Sequence, residues 1–272
     1  MGLLNALTFD IEEHFQVSGF ADHIAPERWD QYESRVVPNT ERLLGLLSQM
    51  GLQATFFFLG WVAERHPDLV RAAAEAGHEI ACHGYAHRLV YDLTPEQFRD
   101  DLRRSLDAIC PHAGGPILGY RATSFSITER SLWALDILKD EGLVYDASVF
   151  PVKRARYGIP DAPRAPYTHP NGLIEFPSTV GRLGKLKIPV GGGYFRLFPY
   201  ALTRHAIRQV NAEGRPAIAY FHPWEFDPKQ PRMLGDRVNS FRHYVGLKHT
   251  EAKLRRLCAD VSFAPARVVL GI

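Results

Sequence analysis

Ala54-Thr55-Phe56-Phe57-Phe58-Leu59 is the stretch that decides the fold. A near-continuous apolar run of this length, without polar alternation, reads as a strand covered on both faces. That is the pattern of a parallel sheet wrapped by helices. The flanking sequence agrees. Upstream, Leu4 to Asp10 reads as a strand, and Asn39 to Met50 places Leu43, Leu44, Leu46, Leu47 and Met50 at helical spacing before Gly51 stops the helix. Downstream, Pro67 opens a helix at its first turn and Gly77 closes it. Glu79 to Cys82 is the next strand. Thr94-Pro95-Glu96-Gln97 is a capping box whose helix runs to about Cys110. Ile117 to Arg121 and Leu143 to Asp146 read as strands around a helix from Glu129 to Asp140.

The rhythm breaks between Pro151 and Tyr194. This segment is rich in Pro and Gly, and Leu173 to Phe176 is its one clear strand. It is expected to form loops and short strands over one end of the sheet. Order returns with a helix near Pro199 to Glu213, the strand Ala217 to Phe221, a helix from Thr250 to Ala259 and a strand from Val261 to Phe263. About seven strand–helix units without an obvious break predict an α/β fold, a single (β/α) barrel of about seven parallel strands.

Composition sets the outer bounds. Of 272 residues 46% are hydrophobic and 23% charged, ample for a sizeable core, and a net charge of +2 gives no reason to expect a nucleic-acid partner. Cys82, Cys110 and Cys258 are too few and too widely spaced for a disulfide framework. Leu3 to Phe9 is too short for a signal segment, lacks a basic flank, and no stretch approaches a membrane span. The expectation is a cytoplasmic protein without stable membrane insertion, open to peripheral association with an inner membrane. Its oligomeric state is not legible.

In barrels of this kind, reactive residues gather at the C-terminal ends of strands. Asp10, His83, Arg121, Asp146 and His222 all fall there. His83 and His87, four apart after a strand, can share a metal. Along an extended chain Asp10 and Glu12 face the same way and Glu13 the other, so one carboxylate is available as ligand and one as base; a solvated acidic turn is the competing reading. An Arg at position 121 suits a tether that keeps a carboxylate ionised. His222, followed by the strand-stopping Pro223, is placed to act as a general acid, against the alternative of a satisfied core histidine. Asp146 and Ser148 read as supporting residues that fix a loop. Gly191-Gly192-Gly193 lacks the following Lys-Ser/Thr of a nucleotide loop and suits a loop lining a sugar groove. Tyr194, Phe195 and Trp224 are candidates to stack on pyranose faces, although such aromatics are more often core.

Taken together, these segments resemble the polysaccharide deacetylase family, the carbohydrate esterases (family 4) that share the NodB homology domain. The strand-ending Asp, His83-Gly84-Tyr85-Ala86-His87, Gly119-Tyr120-Arg121-Ala122, Asp146-Ala147-Ser148-Val149-Phe150-Pro151 and Tyr220-Phe221-His222-Pro223-Trp224-Glu225 occur in the family's order over nearly the whole chain. Their wording is most similar to the exosortase-associated deacetylases of exopolysaccharide clusters, a match to which Phe241-Arg242-His243-Tyr244 adds. The resemblance implies a distorted barrel in one domain over 1–272, with a family-specific extension from about 225. It implies one divalent metal, usually zinc, and hydrolysis of N-acetyl groups on N-acetylhexosamine units of a glycan. Asp10 then matches the base, Arg121 its tether, His222 the acid, and His83 and His87 the metal histidines. Ser124 is placed near the oxyanion. Ile11 stands where most of the family has a second Asp, so the ligand shifts to Glu12, with Glu13 as the alternative; Thr123 replaces the usual Pro. Two rival readings are a metal-independent, allantoinase-like C–N hydrolase of a cyclic amide and a non-catalytic sugar-binding barrel.

Overall fold

The computed structural model describes residues 2–154 and 156–272. The chain runs β1 (Asn5–Ile11), α1 (Val36–Met50), β2 (Thr55–Phe58), α2 (Gly60–Arg65), α3 (Pro67–Glu75), β3 (Glu79–Cys82), α4 (Pro95–Ile109), β4 (Gly119–Tyr120), α5 (Ala134–Asp140) and β5 (Tyr145–Asp146). It continues through β6 (Tyr167–Thr168), β7 (Ile174–Glu175), β8 (Val180–Leu183), β9 (Leu186–Pro189), α6 (Gly192–Leu197), α7 (Tyr200–Ala212), β10 (Ile218–Phe221), α8 (Arg237–Tyr244), α9 (Thr250–Asp260), β11 (Phe263–Ala264) and α10 (Ala266–Leu270).

The main sheet has the order β10-β1-β2-β3-β4-β5-β7-β6, with β11 alongside the start of β1. Every neighbouring pair from β10 to β7 is parallel, and β6 joins the far edge antiparallel. These are the parallel strands expected, curled into an open rather than closed barrel. The triple Phe of β2 shows why. Phe56 and Phe58 pack outward under the helices, while Phe57 points inward with Ala6, Ala81, Tyr145 and Ile218. Each fully buried Phe contributes roughly 1.5–3 kcal/mol, so neither face of β2 can be turned to water. Small Ala residues from the adjacent strands leave room inside for the large rings.

The seam between β7 and β10 is bridged by the segment that the sequence marks as irregular. Thr179 Oγ1 accepts from the Ile218 amide at 2.7 Å, and Gly191 pairs with Tyr220. Between these points β8 and β9 form an antiparallel hairpin packed on α7. This hairpin, together with α2, α6 and α8, goes beyond the elements expected from the sequence.

Several boundaries also move. The 129–133 stretch is turn, because Ser131 Oγ accepts from the Thr128 amide and donates to Ser126 O, so α5 begins at Ala134. β4, β5 and β7 are two residues each. Among the described residues, no helix is long and apolar enough to cross a membrane.

Candidate metal and catalytic site

Four parallel strands deliver their next residues to one end of the barrel. Asp10 lies within β1 and Glu12 follows it; His83 follows β3, Arg121 follows β4 and His222 follows β10. His87 is brought back by a tight turn, with Gly84 at φ 74° and His87 itself at φ 50°. The Gly84 turn requires glycine, since a Cβ there would crowd Asp101 at 3.2 Å.

Glu12, His83 and His87 each present one ligand atom, all within 4.8 Å of one another. His83 Nδ1 lies 2.7 Å from Arg121 O, so Nδ1–H donates to the carbonyl and the Nε2 lone pair faces the cluster. Burial pushes the His83 imidazole down to about 4, against the pull of Asp10 and Glu12, which keeps it neutral and fit to ligate. Glu12 Oε2 stands 2.8 Å from His87 Nε2 and 3.9 Å from His83 Nε2, yet this buried oxygen accepts no aligned hydrogen bond. The three ligand atoms lie close enough together to share one ion. A carboxylate and two imidazoles in that arrangement fit a divalent cation such as zinc, with further positions free for water or substrate. Burial opposes charge on Glu12, but His87, His222 and His83 together hold its carboxyl down to about 2.

Asp10 adjoins this cluster without joining it. Arg121 Nη1 donates to Asp10 Oδ1 at 2.6 Å and to Thr8 Oγ1 at 2.8 Å, while its guanidinium lies 4.2 Å from the Phe57 ring centroid. Asp10 Oδ2 faces His222 Nε2 at 3.8 Å, and Glu12 Oε1 faces the same nitrogen at 3.8 Å. His222 keeps 17% of its side chain exposed, against 1–5% for Asp10, Glu12, His83, His87 and Arg121. The opening to solvent therefore runs past His222.

Behind His222, its Nδ1 lies 2.7 Å from Glu225 Oε1, and Glu225 Oε2 accepts from Arg196 Nε at 2.5 Å. Burial works against the imidazolium, but Glu12, Glu225 and Asp10 outweigh it and raise His222 to about 9. Glu225 and Arg196 lie outside the candidates that the sequence offers. The His222-Pro223-Trp224-Glu225 spacing is a signal for the first, because Glu225 Oε1 also accepts from the His222 amide at 3.0 Å. Arg196 reaches the site from α6 and has no local signal.

Three expectations need correction. Glu13 turns away from the metal cluster: its carboxylate accepts from Ser34 Oγ at 2.5 Å and from the Arg35 amide at 3.0 and 3.1 Å. Trp224 offers no face to a sugar. It is buried, with His222 stacked on it at 4.9 Å and His243 at 4.3 Å, and its Nε1–H donates to Glu12 Oε1 at 3.2 Å. The three glycines do not form a groove loop. A Cβ on Gly191 would lie 2.4 Å from Tyr220 O, so glycine lets this backbone pair with β10, and Gly192 starts α6.

The remaining candidates lie around these groups. Tyr194, half-buried in α6, has its hydroxyl 2.9 Å from that of Tyr157. Tyr157 leads through Phe125 and Tyr220 to His222, an aromatic wall with centroid spacings of 4.8–6.2 Å. Ser124, at φ 52° just past Arg121, meets Ser18 Oγ at 2.6 Å. Asp146 is buried and accepts from Ser148 Oγ at 2.5 Å, and that hydroxyl accepts from the Ala122 amide at 2.7 Å. This chain of bonds fixes the segment after Arg121. Burial and nearby Glu175 push the Asp146 carboxyl well above its ordinary range.

Comparisons with known proteins divide the chain into two matched segments. The polysaccharide deacetylase model matches residues 6–143 and a domain of unknown function, DUF3473, matches 147–271. A peptidoglycan deacetylase-like protein of Gibberella zeae is 31% identical over 110 residues, 40% of this chain and 32% of that protein. A peptidoglycan-N-acetylglucosamine deacetylase of Bacillus cereus is 31% identical over 98 residues, 36% of each chain. The matched region thus spans about a third of the length of these relatives. Among solved structures, a candidate polysaccharide deacetylase from Mycobacterium smegmatis superposes with TM-score 0.62 at 23% identity, covering 100% of this chain and 90% of that one. Puue allantoinase superposes with TM-score 0.59 at 17% identity, covering 98% and 88%. These two share the fold, and the sheet crosses both matched segments, since β10 and β11 of the second flank β1 of the first. With the family model spanning just over half its length, the chain belongs to the polysaccharide deacetylase family.

Proposed function

We propose that this protein is a divalent-metal-dependent hydrolase that removes acetyl groups from N-acetylhexosamine units of a glycan. The observation that carries the reading is the clustering of Glu12, His83 and His87 around an oxygen without an aligned donor. The relatives' names point to the same amide chemistry. A cation held by these side chains would polarise the acetamide carbonyl and acidify water.

The chain's own residues divide the remaining work. Asp10, its Oδ1 held by Arg121, takes the proton of the attacking water at Oδ2. His222, its imidazolium favoured by Glu225 and Asp10, gives its Nε2 proton to the departing amine. The C–N bond breaks, and acetate and a free amine leave. A backbone N–H near Ser124 is the proposed partner of the developing oxyanion. Tyr194 lines the proposed glycan groove, and Asp146 supports the Arg121 segment through Ser148.

The test is acetate release from N-acetylglucosamine oligomers before and after chelation, with zinc restored. Activity should vanish and return. Amide hydrolysis that survives complete metal removal points instead to the allantoinase-like reading, while tight oligosaccharide binding without acetate points to a sugar-binding barrel.

A further inference from the structure

The segment matched by a domain of unknown function places an indole directly behind the proposed metal cluster. Trp224 Nε1–H donates to Glu12 Oε1 within the buried interior. Oε1 is thereby engaged, and Oε2 is the oxygen left facing His83 and His87. The indole is packed between rings and a guanidinium, with Arg196 5.2 Å from its centroid. His222 stacks on it with an interplanar angle of 19°, and His243 stacks on it at 17°.

His243 is itself locked from three sides. Its Nε2 lies 2.7 Å from Gln230 Oε1, an acceptor, so Nε2 carries the proton. Gln230 Nε2 in turn donates to the main-chain carbonyls of Trp224 at 2.8 Å and Asp227 at 3.0 Å, tying His243 to the backbone of the turn that carries the indole. Arg196 Nη1 donates to His243 O at 2.6 Å, and the Phe20 ring meets the imidazole edge-on at 5.0 Å. Helix α8, which carries His243, is thus fastened through one stacked ring to the carboxylate of Glu12.

We propose that Trp224 is a positioning residue for metal binding, and that His243 and Gln230 hold it so that Glu12 presents Oε2 to the cation. This gives the C-terminal segment a task in the site beyond supplying His222. It rests on the reading of Glu12 as a metal ligand.

The experiment measures zinc affinity of the metal-free protein by competition with a chromogenic chelator, with thermal unfolding recorded in parallel. Trp224→Phe keeps the stacked ring and removes the N–H, and should weaken zinc binding about 10–100-fold, the usual cost of losing a ligand's hydrogen-bond partner. Its cobalt-loaded form should show an altered visible spectrum, because the carboxylate changes its approach. His243→Phe keeps a ring against the indole but loses the bond to Gln230, and should weaken zinc by less. Wild-type zinc affinity and an unchanged cobalt spectrum in Trp224→Phe overturn the proposal, whatever happens to its melting temperature. Should Trp224→Phe fail to fold, unchanged zinc affinity in His243→Phe overturns it. Wild-type protein without zinc affinity overturns both this proposal and the function above.

Discussion

Residues 6–143 and residues 147–271 build the same site by different means. In the first segment Asp10, Glu12, His83 and Arg121 lie on or directly after parallel strands, so the strands place them side by side, and a tight turn after β3 returns His87 to them. In the second, only His222 of the groups around the cluster comes directly off a strand end. Glu225 and Trp224 sit in the turn after it, Arg196 comes from α6 and His243 from α8. The first segment sets positions through the sheet. The second sets orientation and charge through hydrogen bonds and stacked rings.

The sharpest way to break this division is to remove one group from each side. His83→Ala should abolish zinc binding and lower turnover by about 10³-fold or more, the loss of several kcal/mol of charge stabilisation. His222→Gln should leave zinc affinity near wild type and lower turnover by roughly 10²–10⁴-fold. Calorimetric zinc titration alongside acetate release separates the two; equal loss of metal in both variants would merge them into one role.

A subtler intervention is Glu225→Gln. In the metal-free protein His222 stands at about 9, raised partly by Glu225. Its contribution to stability is complete below its ordinary value of about 6.5 and is lost as pH rises through about 9. In the variant the imidazole should titrate at lower pH, moving the alkaline loss of activity down with it. Histidine NMR titrations of both proteins check this, and an unmoved His222 resonance would remove Glu225 from the charge balance. Smallest of all should be the effect of Glu13→Gln on zinc. That carboxylate serves Ser34 and Arg35, so the change should cost about 1–3 kcal/mol of stability with metal affinity intact.

The contrast also explains what could be read from sequence. Phe56-Phe57-Phe58 declares a strand buried on both faces, and a polar residue right after such a strand is a local signal, so Asp10, His83, Arg121 and His222 were visible. Asp10 and Glu12 share a side because extended chain alternates, and Glu13 faces Ser34 for the same reason. For Trp224 the sequence leaves two readings, a sugar platform and core, and the buried ring decides for core. His222, His243 and Arg196 all pack on its ring, and local sequence patterns carry no record of that stacking. Gly191 invited a groove loop because its real constraint, contact with Tyr220, comes from a distant strand.

The sheet order sets a timetable for the molecule's birth. Thr8 bonds Ala219 across 211 residues of chain, so β1 waits for its second partner until that intervening stretch has left the ribosome. At the usual 5–20 residues per second the delay is roughly 10–40 s. During that interval the β1 edge that β10 will cover is unpaired, inviting non-native pairing with other chains and a chaperone's attention. The same delay withholds His222 from Asp10, so a half-made chain carries the proposed metal cluster without the proposed acid.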